Sequence, residues 1–170
     1  MSKALFITTK DLKQRSIISG NVDPDKIVQF IEVAQDTHIQ NYLGGKLYKK
    51  IQTLITGGTL NDAANADYKT LLDTYIKPML VWYTQAAYLP FAAFQISNGG
   101  VFKHRSENSD VATSEDIKDM TNRVNQTADF YTRRFQDFMG YNSHDYPEYN
   151  QSTNGDMYPD QSYGFSSWVL

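Results

Sequence analysis

The most apolar stretch of the chain, YKTLLDTYIKPMLVWYTQAAYLPFAAFQ at residues 68–95, restricts the fold more than any other feature. Its apolar residues surround a helix instead of forming one stripe, so a helix here must be covered by neighbours on several sides. Pro78 and Pro90 each remove an internal hydrogen bond, which predicts breaks or kinks at both positions. The segment therefore predicts the central element of a small helical bundle.

Capping and glycine signals predict two helices before this segment. Asp23 is a suitable N-cap, and the doublet Gly44-Gly45 is a stop signal. Apolar residues between them recur with a mainly helical period. A second, short helix is predicted from there to Gly57-Gly58. Further upstream, residues 5–9 form a short β-prone run, and the alternative for this N-terminal segment is a helical turn. A strand here has no evident partner inside a helical bundle, so it would pair with the hairpin described below or with another subunit.

The last long helix has the clearest apolar repeat. Ser114 is its predicted cap and Gly140 its predicted end. Between them, apolar side chains recur every seven residues, which is typical of a bundle helix. The repeat consists of Ile117, Val124, Tyr131 and Phe138.

A turn signal interrupts the helical pattern at ISNGGVFKHRSENSD, residues 96–110. Asn98-Gly99 between two short apolar runs predicts a tight β-hairpin near residues 94–105. The hairpin carries the basic residues Lys103, His104 and Arg105. We expect it to project between two bundle helices, where its open edges favour pairing with a neighbouring subunit and its basic residues could contact phosphates.

The chain after Gly140 has a different composition. Residues 141–170 contain four acidic residues, five tyrosines and no lysine or arginine, whereas residues 1–140 carry a net charge of +1. Without any helical or strand period, this segment is predicted to be an extended, irregular arm. Aromatic side chains in polar surroundings suit the pockets of a partner, although the arm could instead wrap back onto its own domain. The candidate docking residues are Tyr141, Tyr146, Tyr149, Tyr158, Tyr163, Phe165 and Trp168.

The sequence offers no constellation of catalytic residues. It has no cysteine, and its three histidines do not have metal-binding spacing, so we expect neither an enzyme nor a bound metal or cofactor. The N-terminus has no secretion signal and no membrane span, which predicts a soluble protein made in the cytosol. The basic residues Lys103 and Arg105 leave one alternative open, a small nucleic-acid-binding module.

Four segments, in their order along the chain, resemble a known family of proteins. They are NYLGGKLYKKI, YKTLLDTYIKPMLVWYTQAAYLPFAAF, the predicted hairpin ISNGGVFKHRSENSD and DFYTRRFQDFM. Together they are similar to the head–tail connector proteins of tailed bacteriophages, also called adaptor or head-completion proteins. The versions in Bacteroides-type and crAss-like phages are the most similar. The resemblance covers roughly residues 5–140 and does not include the arm.

Membership of that family would imply a structural protein of the virion neck, assembled in the host cytoplasm. The resemblance implies a homo-oligomeric ring, twelve-fold in that family, that lies beneath the portal and extends the DNA channel. Its partners would be further copies of itself, the portal protein, the next neck or tail protein, and double-stranded DNA that passes without sequence preference. No membrane would be involved. By analogy, residues 98–109 would face the channel or a neighbour, and residues 141–170 would reach the portal or the next ring.

Overall fold

In the part of the chain that the structure describes, the helices form a bundle that is accompanied by one pair of short strands. The computed structural model describes residues 3–18, 22–92, 94–97, 100–103, 112–151 and 156–161. The mainly helical fold confirms the sequence-based prediction, and none of the described helices has the length and hydrophobicity that a membrane span requires. The elements are α1 (Thr9–Arg15), α2 (Pro24–Ala34), α3 (Gln40–Thr56), α4 (Ala66–Leu71), α5 (Lys77–Tyr88), β1 (Phe94–Ser97), β2 (Gly100–Lys103), α6 (Ser114–Asn142) and α7 (Pro147–Asn150).

Helix α5 lies at the centre of the bundle, as its all-round hydrophobicity predicts. It packs between α2 and α6, and its buried residues include both Met79 and Tyr83. Both prolines coincide with breaks in regular α-helix, as predicted. Pro78 follows a π-helical turn, Leu72–Ile76, and Pro90 lies in a 3₁₀ turn, Leu89–Phe91. A proline has no N–H to donate, so each of these turns falls where an α-helical hydrogen bond is missing.

Helices α2 and α3 confirm the predicted start and stop signals. The Asp23 carboxylate accepts a hydrogen bond from the Asp25 N–H at 3.0 Å, which caps α2. The unpredicted feature is a π-helical turn, Gln35–Ile39, that joins α2 to α3 without a loop. Within α3, Gly44 has φ 72° and ψ 159° and breaks the helix at the predicted stop. Gly57 caps the C-terminus of α3, as predicted.

Helix α6 starts and ends slightly outside its predicted limits. Its N-cap is Thr113 and not Ser114, because Thr113 forms a reciprocal pair of hydrogen bonds with Asp116. The Asp116 N–H donates to Thr113 Oγ1 at 3.1 Å, and the Thr113 N–H donates to the Asp116 carboxylate at 2.9 Å. At the other end, Gly140 keeps a helical conformation and α6 continues to Asn142.

Of the two predictions for the N-terminal segment, the helical turn is correct and the strand at residues 5–9 is wrong. Thr8 and Asp11 form a second capping box, and this cap starts α1 at the next residue. Phe6 and Ile7 are buried in the core immediately before it. The buried Gln35 side chain holds this segment in place, because its Oε1 accepts a hydrogen bond from the Phe6 N–H at 2.8 Å.

Strands β1 and β2 form a two-stranded antiparallel sheet in the region of the predicted hairpin. Phe94 lies opposite Lys103, and Ser97 lies opposite Gly100. The predicted turn residues Asn98 and Gly99 lie outside the described ranges, as do residues 104–111 after β2.

The prediction of an irregular arm from residue 141 onwards is wrong for residues 141–150. A 3₁₀ turn, Ser143–Asp145, follows α6 and leads directly into α7. Tyr146 and Tyr149 are each only 2% exposed and belong to the core, so they are not free to bind a partner. The Tyr146 hydroxyl donates to the Asp67 carbonyl at 3.1 Å, and burial raises the pKa of Tyr146 to about 12. These contacts connect the chain after α6 to the body of the bundle.

Replacing Tyr149 tests whether α7 is part of the core. We expect Tyr149→Ala to lower the free energy of unfolding by about 3–5 kcal/mol, the range for truncating a buried aromatic side chain. Tyr141→Ala is the matched control, because Tyr141 is 85% exposed and its loss should change stability by about 0.5 kcal/mol or less. Urea denaturation of both variants measures the difference, and equal stabilities would show that α7 does not contribute to the core.

Candidate assembly surface

The extended residues 156–160, DMYPD, lie against the break in α3, and we call them the strap. The Gly45 N–H donates to the Met157 carbonyl at 2.7 Å, and the Asp160 N–H donates to the Asn41 carbonyl at 2.8 Å. The Gln40 side-chain amide also donates to the Asp156 carboxylate at 2.7 Å. The strap is therefore bound through both its backbone and its first side chain.

These two backbone bonds replace one bond of the helix. In an uninterrupted α-helix the Gly45 N–H would donate to the Asn41 carbonyl, four residues earlier. Because Gly44 is not helical, that bond is opened, and the strap supplies a new acceptor to Gly45 and a new donor to Asn41. Gly45 is buried and Asn41 is half-buried, so without the strap the Gly45 N–H and the Asn41 carbonyl would lose these partners at a cost in free energy.

Gly44 and Gly45 together form what we call the glycine notch. Only glycine fits at position 44. A Cβ atom at Gly44 would lie 2.7 Å from Pro159 Cδ, and one at Gly45 would lie 3.1 Å from Asp156 Cβ. The φ and ψ angles of Gly44 also fall in a region that is essentially restricted to glycine. The notch thus combines a close approach of two backbones with a conformation that other residues avoid.

A second surface feature is an apolar groove of about 300 Å³ beside β1, which we call the α6 groove. It lies between the turn before β1 and the start of α6. Its apolar walls come from Pro90, Phe94 and Ile117. Phe91, next to the groove in sequence, is 57% exposed, and its ring lies 5.7 Å from that of Phe30.

The residues predicted for partner docking differ in their exposure. Tyr141 and Tyr158 are exposed, whereas Tyr146 and Tyr149 are buried in the core. The remaining candidates lie outside the described ranges: Tyr163, Phe165 and Trp168 in the arm, and Asn98, Gly99, His104 and Arg105 in the predicted hairpin. Lys103 is the last residue of β2.

His38 has an evident structural role. Its ring stacks on that of Tyr83, with centroids 3.9 Å apart and an angle of 5° between the planes. The Tyr83 hydroxyl in turn shares a 2.9 Å hydrogen bond with the Thr132 hydroxyl of α6. Burial lowers the pKa of His38, and the nearby Asp129 carboxylate partly opposes this effect. In the described part of the chain, no group of three or more acidic or histidine side chains is arranged to hold a metal ion.

The role of the glycine notch is not predicted by the sequence pattern. In the sequence, the doublet Gly44-Gly45 predicts the end of a helix. This prediction matches the break within α3, but it does not reveal that a distant segment fills the break. The strap has no hydrophobic period to mark it, because it binds mainly through its backbone. The one available signal is the pair itself, since two adjacent glycines allow another backbone to approach closely.

One family model matches the chain, over residues 39–158, and it is described as a family of unknown function, DUF6712. The match includes the glycine notch, both strands, α6, α7 and the strap as far as Tyr158. No curated protein and no solved structure matches the chain.

We predict that Gly44→Ala releases the strap. The new methyl group would clash with Pro159, so Gly45 and Asn41 should lose their hydrogen bonds at a cost of about 2 kcal/mol beyond the backbone strain. Gly58→Ala is the control, since Gly58 also has positive φ but a Cβ there meets nothing within 4 Å. Hydrogen exchange should accelerate at the Gly45 and Asp160 amides in the first variant alone. Unchanged exchange at both amides would contradict the assignment.

The lowered pKa of His38 predicts a loss of stability in mild acid. The unfolded imidazole takes up a proton near its ordinary pKa of about 6.5, whereas the folded one does so at lower pH. Stability is therefore complete above about pH 6.5 and decreases as the pH falls below it. His38→Phe keeps an aromatic ring on Tyr83 but cannot titrate, so thermal unfolding should show a smaller loss between about pH 7.5 and about pH 5.5. An equal loss in both proteins would exclude His38 as the cause.

Proposed function

The chain belongs to DUF6712, a family of unknown function, and we propose that it is a structural subunit of a bacteriophage neck. In this proposal, copies of the chain assemble into a ring beneath the portal, extend the DNA channel and join the head to the tail. The proposal combines the resemblance of the four sequence segments with the surface of the helical bundle. Twelve subunits are the expectation from the resemblance.

The observation that carries the proposal is the exposed apolar surface around the α6 groove. Phe91, Phe94 and Met120 are large apolar residues that remain 57%, 47% and 46% exposed. Met120 lies three residues after Ile117 of the groove and is therefore its neighbour on the helix surface. Apolar surface of this kind, bordered by polar side chains, is typical of a protein–protein interface.

The two strands give further support to a contact between subunits. Among the described residues, β1 pairs only with β2, so each strand has an outer edge without a strand partner. A two-stranded sheet is marginally stable alone, and open edges favour pairing with another chain. In a ring, a neighbouring subunit could cover both the strand edge and the α6 groove.

The charge distribution is compatible with a DNA channel. Residues 1–140 have a net charge of +1, and the whole chain has a net charge of −3. A channel that bound many phosphates would hold DNA, because each contact releases counterions and adds affinity. A nearly neutral lumen would instead let the duplex pass.

Electron microscopy of the purified chain, alone and mixed with the portal protein of the same phage, tests the proposal. We expect rings or ring–portal complexes with the unchanged chain. The double substitution Phe91→Glu/Met120→Glu should abolish them, since it places two carboxylates in the proposed contact. Phe130→Glu is the matched control, because Phe130 is also an exposed aromatic residue, 58% accessible, but lies further along α6.

Two outcomes would contradict the neck proposal. One is that neither rings nor portal complexes form at any concentration. The other is a monomer that binds duplex DNA with strong salt dependence and loses that binding in Lys103→Ala/Arg105→Ala. The second outcome would support the small nucleic-acid-binding module instead.

A further inference from the structure

We propose that the strap is exchanged between copies, so that the strap of one subunit occupies the glycine notch of its neighbour. The inference rests on the proposed ring assembly and names the contact that would link adjacent subunits. The occupant is defined by chemistry already present: a second copy of DMYPD makes the same hydrogen bonds to Gly45, Asn41 and Gln40 that the chain makes to itself.

The glycine notch is more stable when a strap fills it than when it is empty. The Gly45 N–H and the Asn41 carbonyl would bond to each other in a regular helix. They are separated here because Gly44 is not helical. An empty notch would lose both hydrogen bonds to the strap, so an occupied notch is favoured. A strap from the same chain and one from a neighbour satisfy it equally.

The strap itself is bound loosely enough to leave. Its two large apolar side chains, Met157 and Tyr158, remain 41% and 65% exposed. Two of its hydrogen bonds join backbone to backbone, and two come from glutamine side chains, including a 3.3 Å bond from the Gln136 side-chain amide to the Asp160 carbonyl. Segments with few buried apolar contacts open at a free energy well below that of global unfolding. Exchange therefore does not require the bundle to unfold.

The length of the connection limits where the neighbour can be. Gln151 lies two residues after the buried Tyr149 and so stays on its own subunit, where its side-chain oxygen accepts a hydrogen bond from the Lys46 ammonium at 2.9 Å. From Gln151 to Asp156 the chain makes five steps, which span at most about 17 Å when extended. Adjacent subunits must therefore meet beside α3 and α7. When each strap passes to the next subunit in one direction, the contact is head-to-tail and closes into a ring if the rotation between subunits allows it, whereas a reciprocal exchange would give a two-fold dimer.

Cysteine pairs test the exchange directly, because the natural chain has no cysteine. A Cβ at position 45 would lie 3.1 Å from Asp156 Cβ, so a shift of a few tenths of an ångström gives the separation of a disulfide, about 3.5–4.5 Å. We mix a Gly45→Cys variant with an Asp156→Cys variant at ring-forming concentration and oxidise them. The expected product is a linked dimer in which mass spectrometry finds a 45–156 disulfide.

The control mixture pairs Asp156→Cys with Lys26→Cys, an exposed position on α2 that takes no part in the strap contacts. It should give much less linked dimer, since only random collisions join its cysteines. A double variant, Gly45→Cys/Asp156→Cys, should form chains of linked subunits. If the double variant closes only within single chains and the mixture yields no 45–156 link, the exchange is overturned.

A second pair covers the case in which a side chain at position 45 prevents docking. Gln40→Cys and Asp156→Cys leave both glycines intact, and a short bismaleimide reagent can join them because the natural side chains touch. The same between-chain link is expected, and it should disappear when the Gln40→Cys partner also carries Gly44→Ala but persist with Gly58→Ala. Links confined to single chains would overturn the exchange.

The two proposals fail in different ways. Rings that bind portal without any 40–156 or 45–156 link between chains would refute the exchange and leave the neck function standing. Linked chains that form neither rings nor portal complexes would refute the neck function and leave the exchange standing.

Discussion

One opened hydrogen bond in α3 allows the strap to bind to that helix. At Gly44 the backbone leaves the helix, and the Gly45 N–H and Asn41 carbonyl turn to the strap instead of to each other. Asp160 contacts both Asn41 in α3 and Gln136 in α6, so the last described residues tie an early helix to a late one. A residue other than glycine at position 44 would disturb all of these contacts at once.

The rest of the bundle is organised around an α5 that is apolar on every side. Two π-helical turns, Gln35–Ile39 and Leu72–Ile76, each insert one residue into a helical turn and so rotate the helix that comes after it. The first turn brings His38 onto Tyr83 of α5, and the second leads into the central helix at Pro78. Local irregularities of the helices therefore help α2, α3 and α6 to cover α5 from several directions.

Hydrophobic period and capping residues are sufficient to predict the main helices and the central position of α5. They are insufficient after α6, where Tyr146 and Tyr149 lack a regular pattern and resemble partner-binding residues. Their burial depends on contacts with distant parts of the chain, such as the Asp67 carbonyl, which no local pattern reveals. The capping box at Thr8 and Asp11 is visible in the sequence, but the β-propensity of the residues before it obscures the signal. The α6 groove arises only when residues far apart in sequence meet in the fold.

The position of the strap after all of the described helices has a consequence for biosynthesis. A chain emerges from the ribosome N-terminal end first, and its early segments begin to fold before the last ones are made. The described helices are complete in sequence before residues 156–160 exist, so the strap is made after the notch that it fills. During that interval the notch of a nascent chain is open to the strap of a finished one. Neighbouring ribosomes on one messenger RNA would supply such finished chains at high local concentration.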